Sequence, residues 1–231
     1  MRAVTVCLHR LFLGSVLLAI GFSPPVAILS AQTAAPSATQ HRPTSTPYKG
    51  DLSIFETPGR DERLHIGRVM DALGITPGKT VADIGAGSGW FTVRAATRVG
   101  DSGRVYAEDI NPAAIDYINE RVEKEHLANV ITRLGKPTNP ELPRDSLDAV
   151  LLMKTYHEVA EPVALLRNLR PALKPGARVG IIDREGNGAD HGVNKQVVVQ
   201  EAEQAGYRLL QEHDELVKED NVDYFLVFGS K

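Results

Sequence analysis

The sequence predicts an α/β domain built around a largely parallel sheet. Three observations carry that expectation. Between Thr80 and Ala205, short β-rich runs alternate with helical stretches, the pattern of crossover units that return each strand in the same direction. Two of the intervening helices open with proline, Pro112 and Pro162, at the first turn, where the missing N–H costs nothing. The chain of 231 residues, 42% apolar and 24% charged, suits one sizeable core and is too short for two ordinary domains with tails.

The elements follow in order. Leu64, Ile66, Val69, Met70 and Leu73 recur at helical spacing, predicting an amphipathic helix over 60–73 that Gly74 and Pro77 stop. Strands are expected at 80–84, 104–109, 130–133, 147–153 and 178–183, with helices at 90–99, 112–125 and 162–173 between them. A further helix near 193–205 ends at Gly206, and strands at 207–214 and 224–228, joined by a charged turn, read as a hairpin. That makes five strands plus two.

The amino end has a different character. Arg2, His9 and Arg10 precede an apolar run from Leu11 to Phe22, followed by Pro24-Pro25 and small residues around Ala31, the layout of a secretory leader over 1–31. The run is about a dozen residues, short of the ~20 that span a bilayer, so a cleaved signal is expected, with a membrane anchor if cleavage fails. Residues 32–47, with Pro36, Pro43 and Pro47 among Ser, Thr and Ala, are expected to be a disordered linker, leaving 48–231 as the domain. On this reading the protein is periplasmic or secreted, with no stable membrane insertion once the signal is removed.

Charge and cysteine usage narrow the chemistry. Twenty-six basic and twenty-nine acidic side chains give a net charge of -3, which argues against electrostatic binding to nucleic acid. The only cysteine, Cys7, falls in the leader, so the domain has no thiol nucleophile, disulfide or multi-cysteine metal site.

The apolar strand Val81-Ala82-Asp83-Ile84 runs into Gly85-Ala86-Gly87-Ser88-Gly89 and then directly into a helix at Trp90. Three glycines in five residues allow a ligand to approach the main chain, and the helix start adds free N–H donors. The next strand ends at Asp109, 24 residues after Gly85, where one carboxylate can accept both hydroxyls of a ribose. Asp109 has a second possible use as a helix cap before Pro112, although Asn111 can serve there instead; Glu108 is expected on the opposite face. A dinucleotide site favours G-x-G-x-x-G, which needs glycine at 90, where this chain has Trp90.

Asp83-Ile84-Gly85-Ala86-Gly87-Ser88-Gly89 resembles the first motif of class I S-adenosylmethionine-dependent methyltransferases, and Val105-Tyr106-Ala107-Glu108-Asp109-Ile110 resembles their second. The similarity continues through Leu142–Asp148, the Leu173–Gly176 turn and the terminal strand pair. The resemblance implies a Rossmann-like seven-stranded sheet in the order 3-2-1-4-5-7-6, strand seven antiparallel, with helices on both faces. It implies S-adenosyl-L-methionine as methyl donor, with Gly85, Gly87 and Gly89 passing beneath it, Asp83 at its amino acid end, Asp109 on its ribose and Ile110 against its adenine. One departure is visible: where the family often has an acid after the glycine following strand three, Gly135 is followed by Lys136 and Pro137.

The acceptor side is expected at the end of strand four, in Lys154-Thr155-Tyr156-His157-Glu158. Here His157 would take a proton from an accepting oxygen or nitrogen, Glu158 would orient it and Tyr156 would wall the methyl group; the alternative is that His157 and Glu158 only support the next loop. Beyond strand five, Asp183, Arg184, Glu185, Asn187, Asp190 and His191 form a polar loop expected to be mainly solvated, with lining of the acceptor pocket or binding of a divalent ion as alternatives and His191 as a weaker acceptor-side candidate; no metal ligand set is assigned because no recognised spacing is present. Trp90 and Phe91 are expected in the core, with the sulfonium as a second possible contact. The function expected is methyl transfer to an oxygen or nitrogen of a small molecule. A catalytically inactive adenosyl-binding module and an NAD(P)-dependent oxidoreductase are the alternatives, the first prompted by a leader that sends the domain away from a cytoplasmic cofactor.

Overall fold

The computed structural model describes residues 42–217 and 221–231, with Met1, Ala3 and Thr5. The expected leader at 1–31 and the linker up to residue 41 otherwise lie outside the described residues. Thr39–Lys231 form one compact unit.

Seven strands, β1 Thr80–Ile84, β2 Arg104–Asp109, β3 Val130–Leu134, β4 Leu147–Met153, β5 Leu173–Asp183, β6 Tyr207–Glu212 and β7 Tyr224–Ser230, make one sheet. Their order is β3-β2-β1-β4-β5-β7-β6, as the resemblance implies. The first five are parallel, and β7 runs antiparallel between β5 and β6. β5 starts earlier than expected: Leu173 already pairs with Leu147, and the Lys-Pro-Gly turn is absorbed as a register shift before Arg178 meets Ala149.

Among the described residues six α-helices, α1 Arg60–Arg63, α2 Ile66–Ala72, α3 Trp90–Val99, α4 Pro112–Lys124, α5 Pro162–Leu169 and α6 Lys195–Gln204, connect and cover it. The single helix expected over 60–73 is two, because His65 takes a left-handed conformation (φ 44°) between them. Asn111 caps α4, its Oδ1 accepting the Ala113 N–H at 3.0 Å, and Asn194 caps α6 in the same way through Gln196.

The two-residue period of the strands divides the core into two layers. Ala82, Val150, Leu152, Val179 and Ile181 face α5 and α6, meeting Leu165, Leu169, Val198 and Ala202. Their sequence neighbours Val81, Ala149, Leu151 and Ile182 face the other way, against Val69, Met70, Phe91 and Ala95 of α2 and α3. Both faces are therefore covered, which is why β4 reads as a nearly continuous apolar run rather than an alternation. The carboxyl ends of β1, β2, β4 and β5 come together at one edge, where the next residues leave as loops.

Candidate functional site

A cavity of about 740 Å³ opens at that edge. Its floor is the glycine turn between β1 and α3, where Gly85, Gly87 and Gly89 have φ of 69°, 55° and 72°. At Gly85 the requirement is double: the backbone is left-handed, and a Cβ would overlap the Thr155 side chain, which lies against the turn and donates from Oγ1 to the Gly85 carbonyl at 3.2 Å. Omitting a side chain at 85 is what lets β4 and the turn border a common space.

Three buried or half-buried carboxylates surround this floor. Asp83 is nearly fully buried and accepts the Thr92 hydroxyl at 2.7 Å; burial, with Asp109 adding repulsion, pushes its pKa up to about 7 although Arg60 opposes the shift. Glu108 is pushed up to about 8, by burial first and then by Asp109. Asp109 is also raised by burial, while accepting the Gly87 and Asn111 N–H groups at 2.9 Å each. Its oxygens thus tie the turn to the start of α4 while their remaining lone pairs border the cavity. Asn111 performs the helix capping, so the alternative use of Asp109 is not taken up in that form.

The expectation that Glu108 faces away is corrected. It lines the cavity with Asp109 because the space wraps around the end of β2, so both of that strand's last side chains reach it. Gly135, at the end of β3, makes room for this: a Cβ there would overlap the Glu108 carboxyl. The acid that the family often has after that glycine is missing, but an acidic group stands beside the glycine, contributed by β2.

Asp83, Gly85, Gly87, Asp109 and the exposed Ile110 all line the cavity. Gly89 instead caps α3, 3.2 Å short of Ile118 for any added Cβ. Trp90 and Phe91 are core residues that also reach the cavity wall, and the indole is stacked by the guanidinium groups of Arg60 and Arg94, each 4.3 Å from its ring centre. Its cation partners are therefore arginines. Arg60 was not singled out by the sequence because it sits in an ordinary amphipathic pattern; it is nearly buried, lines the cavity, and holds the Phe55 carbonyl at 3.0 Å.

The acceptor side differs more from expectation. Tyr156 does not wall the cavity: it is fully buried, donating to Glu201 of α6 at 2.9 Å beneath Arg42. His157 is oriented by Asp183 and not by Glu158. Its Nδ1 lies 2.8 and 3.0 Å from the two Asp183 oxygens, and its own N–H donates to Asp183 at 3.0 Å. A carboxylate there favours the proton on Nδ1, the tautomer in which a neutral ring carries its lone pair on Nε2. Glu158 lines the cavity, and its pKa is raised to about 7, chiefly by burial, with Asp109 and Asp183 adding to the shift.

The linker boundary is also corrected. Residues 42–47, assigned to the disordered stretch by composition, pack on the domain. Arg42 pairs with Glu201 at 3.0 Å and donates to the Tyr156 carbonyl at 2.7 Å. Ser45 is buried, donating to Gly188 O at 2.9 Å and accepting from the His191 N–H at 2.8 Å. Polar side chains satisfied by distant loop carbonyls order this segment without apolar burial, and composition has no way to register such partners. Thr44–Lys49, with Leu52 and Phe55, complete the cavity wall.

Similarity to known proteins points to methyltransferases. Residues 81–176 match the family model described as a methyltransferase domain. The chain is 31% identical over 136 residues to an arsenite methyltransferase of Halobacterium salinarum, covering 59% of this chain and 35% of that protein. It is 27% identical over 110 residues to a demethylmenaquinone methyltransferase of a Geobacillus strain, covering 48% and 47%. The match thus spans between a third and a half of those relatives. A crystal structure of a SAM-dependent methyltransferase from Aquifex aeolicus superposes with a TM-score of 0.67 at 28% identity, covering 78% of this chain and 97% of that one. The [4+2]-cyclase SpnF shares the fold alone, at 14% identity and a TM-score of 0.62.

The acids fit the donor these relatives use. Asp83, Glu108 and Asp109 have pKa values raised chiefly by burial, and S-adenosylmethionine would bring an ammonium and a sulfonium to them. The chain has the Rossmann-like fold of the solved S-adenosylmethionine-dependent methyltransferase, and its residues 81–176 are similar to a methyltransferase domain.

Proposed function

We propose that the protein transfers the methyl group of S-adenosylmethionine to an oxygen or nitrogen of a small molecule. The observation that carries the reading is the shape of the cavity: one continuous, open-mouthed space of about 740 Å³ is bordered both by the glycine turn with its acids and by Thr155 and Glu158 beyond the end of β4. Donor and acceptor would share it, in the size range of small-molecule sites.

Bound donor supplies an electrophilic methyl carbon. Asp83, Asp109 and the turn would hold it, with Asp83 toward its ammonium and Asp109 toward the ribose. The remaining work of the chain is alignment and exclusion of water, for which the 42–56 segment forms one wall. Tyr156 is buried away from the cavity, so Glu158 and the Asp183-oriented His157 behind it are the pair placed to activate an acceptor hydroxyl or amine.

The names of the relatives point to arsenite and quinone acceptors as further candidates. Thiolate-assisted arsenic chemistry fits poorly, because the one cysteine, Cys7, precedes the domain. Transfer to a ring carbon is the outcome that would refine this proposal. The apolar run at 11–22 further suggests that the reaction takes place outside the cytoplasm, which cell fractionation with an antibody would test.

The direct experiment incubates purified protein with methyl-labelled S-adenosylmethionine and fractionated small-molecule extract. Label on an O- or N-methyl product supports the reading, and label on carbon corrects the acceptor atom. Donor binding without any transfer would favour a non-catalytic module.

A further inference from the structure

We infer that His157, Glu158 and His191 form a binding site for a divalent first-row transition metal ion of the zinc or iron(II) kind, next to the cavity, to which Glu158 alone of the three contributes wall. The three residues come from two loops, following β4 and β5, and each offers one ligand atom; all three atoms lie within 4.8 Å of one another. A tetrahedral ion bound at ordinary zinc distances would place its ligands about 3.4 Å apart, so a small movement of the exposed His191 closes the set.

The second observation concerns what these groups lack. His157 is 5% exposed, and its Nδ1 is held by Asp183. Among the described residues its Nε2 has no hydrogen-bond partner: Glu158 Oε1 stands at 4.0 Å, beyond bonding range. The His191 imidazole likewise makes no hydrogen bond among the described residues, meeting the His157 ring edge-on with centres 5.8 Å apart. Three donors converge on a point without satisfying one another.

Asp183 adds the support that metal-ligating histidines characteristically have, a carboxylate on the other ring nitrogen that fixes the tautomer and aims the lone pair. Ser45 holds only the main chain of His191, by accepting its N–H at 2.8 Å. Two imidazoles and one carboxylate favour a borderline transition ion over magnesium or calcium, which prefer all-oxygen sets. If the methyl-transfer reading also holds, an ion beside Glu158 would polarise an acceptor oxygen; metal binding itself does not depend on that reading.

The test is calorimetric titration of the tag-free, chelator-treated full chain with Zn²⁺, Co²⁺ and Mg²⁺ separately. One equivalent of Zn²⁺ or Co²⁺ should bind, with a visible Co²⁺ spectrum of nitrogen and oxygen ligation, and Mg²⁺ should bind at least tenfold more weakly. His191→Ala and Glu158→Gln should each weaken Zn²⁺ at least tenfold, and Asp183→Asn by roughly 10- to 100-fold. His126→Ala, at the remote end of α4, should leave it unchanged. His191 is exposed, so its variant is expected to fold, and a thermal melt verifies this. No stoichiometric Zn²⁺ or Co²⁺ binding, or binding that His191→Ala and Glu158→Gln leave intact, overturns the inference.

Discussion

The two halves of the cavity are built by different means. The donor half uses contiguous chain: Asp83 to Gly89 is a single strand and turn, and Asp109 closes it from the adjacent strand through the Gly87 N–H. The acceptor half is assembled from distant pieces: Ser45, His157 and the Asp183–His191 stretch come from three separate segments and meet largely through side-chain bonds, with one main-chain bond from Ser45 to His157. Backbone geometry specifies the first, and tertiary hydrogen bonding the second. Substitutions in the two halves should therefore separate donor binding from turnover.

The largest effect is expected at Gly85. Gly85→Val places a branched side chain on a left-handed backbone and into Thr155, and should lower S-adenosylmethionine affinity by more than about 100-fold in calorimetry. Retained affinity would mean that the turn is not the donor floor. Asp109→Ala comes next. Losing charge-assisted bonds worth about 1–3 kcal/mol predicts roughly 5- to 150-fold weaker donor binding, and an unchanged dissociation constant would remove Asp109 from the site.

In the other half, Asp183→Asn should lower kcat for methyl transfer by about tenfold or more while donor affinity stays within about twofold, because the carboxylate orients His157 and does not line the cavity. Equal losses in both quantities would erase the separation. The smallest effect is a pH dependence of stability. Glu108 is raised from 4.5 to about 8 by burial, so the folded state keeps its proton where the unfolded chain has lost it. Its contribution is fully present below about pH 4.5 and lost as pH rises through about 8, so the urea midpoint of the ligand-free protein should fall between about pH 5 and pH 9. Asp83, raised to about 7, acts in the same direction. Glu108→Gln should flatten the curve, and a midpoint that rises over that range would contradict the assignment.

The same division explains what the sequence made legible. The positions of the strands, the glycine turn and Asp109 rest on local patterns, namely short β-rich runs between helical stretches, closely spaced glycines and an acid at a strand end, whereas the strand order is what the family resemblance implies. Tyr156 misled because proximity to His157 in sequence says nothing of side-chain direction in the short 3-10 turn that both occupy; one points at α6, the other at Asp183. Arg42 and Ser45 were hidden in a stretch whose composition signals disorder, since their order comes from Glu201 and Gly188, more than 140 residues away. Glu108 was placed on the wrong side by a strand rule that stops applying where the sheet ends and the cavity wraps around it.

The account depends most on the donor half gripping an adenosyl sulfonium compound. Titrating the purified chain with S-adenosylmethionine, S-adenosylhomocysteine and NAD in parallel tests that directly. The first two should bind with one-to-one stoichiometry and NAD should not; binding of NAD alone, or of none of the three, would contradict it.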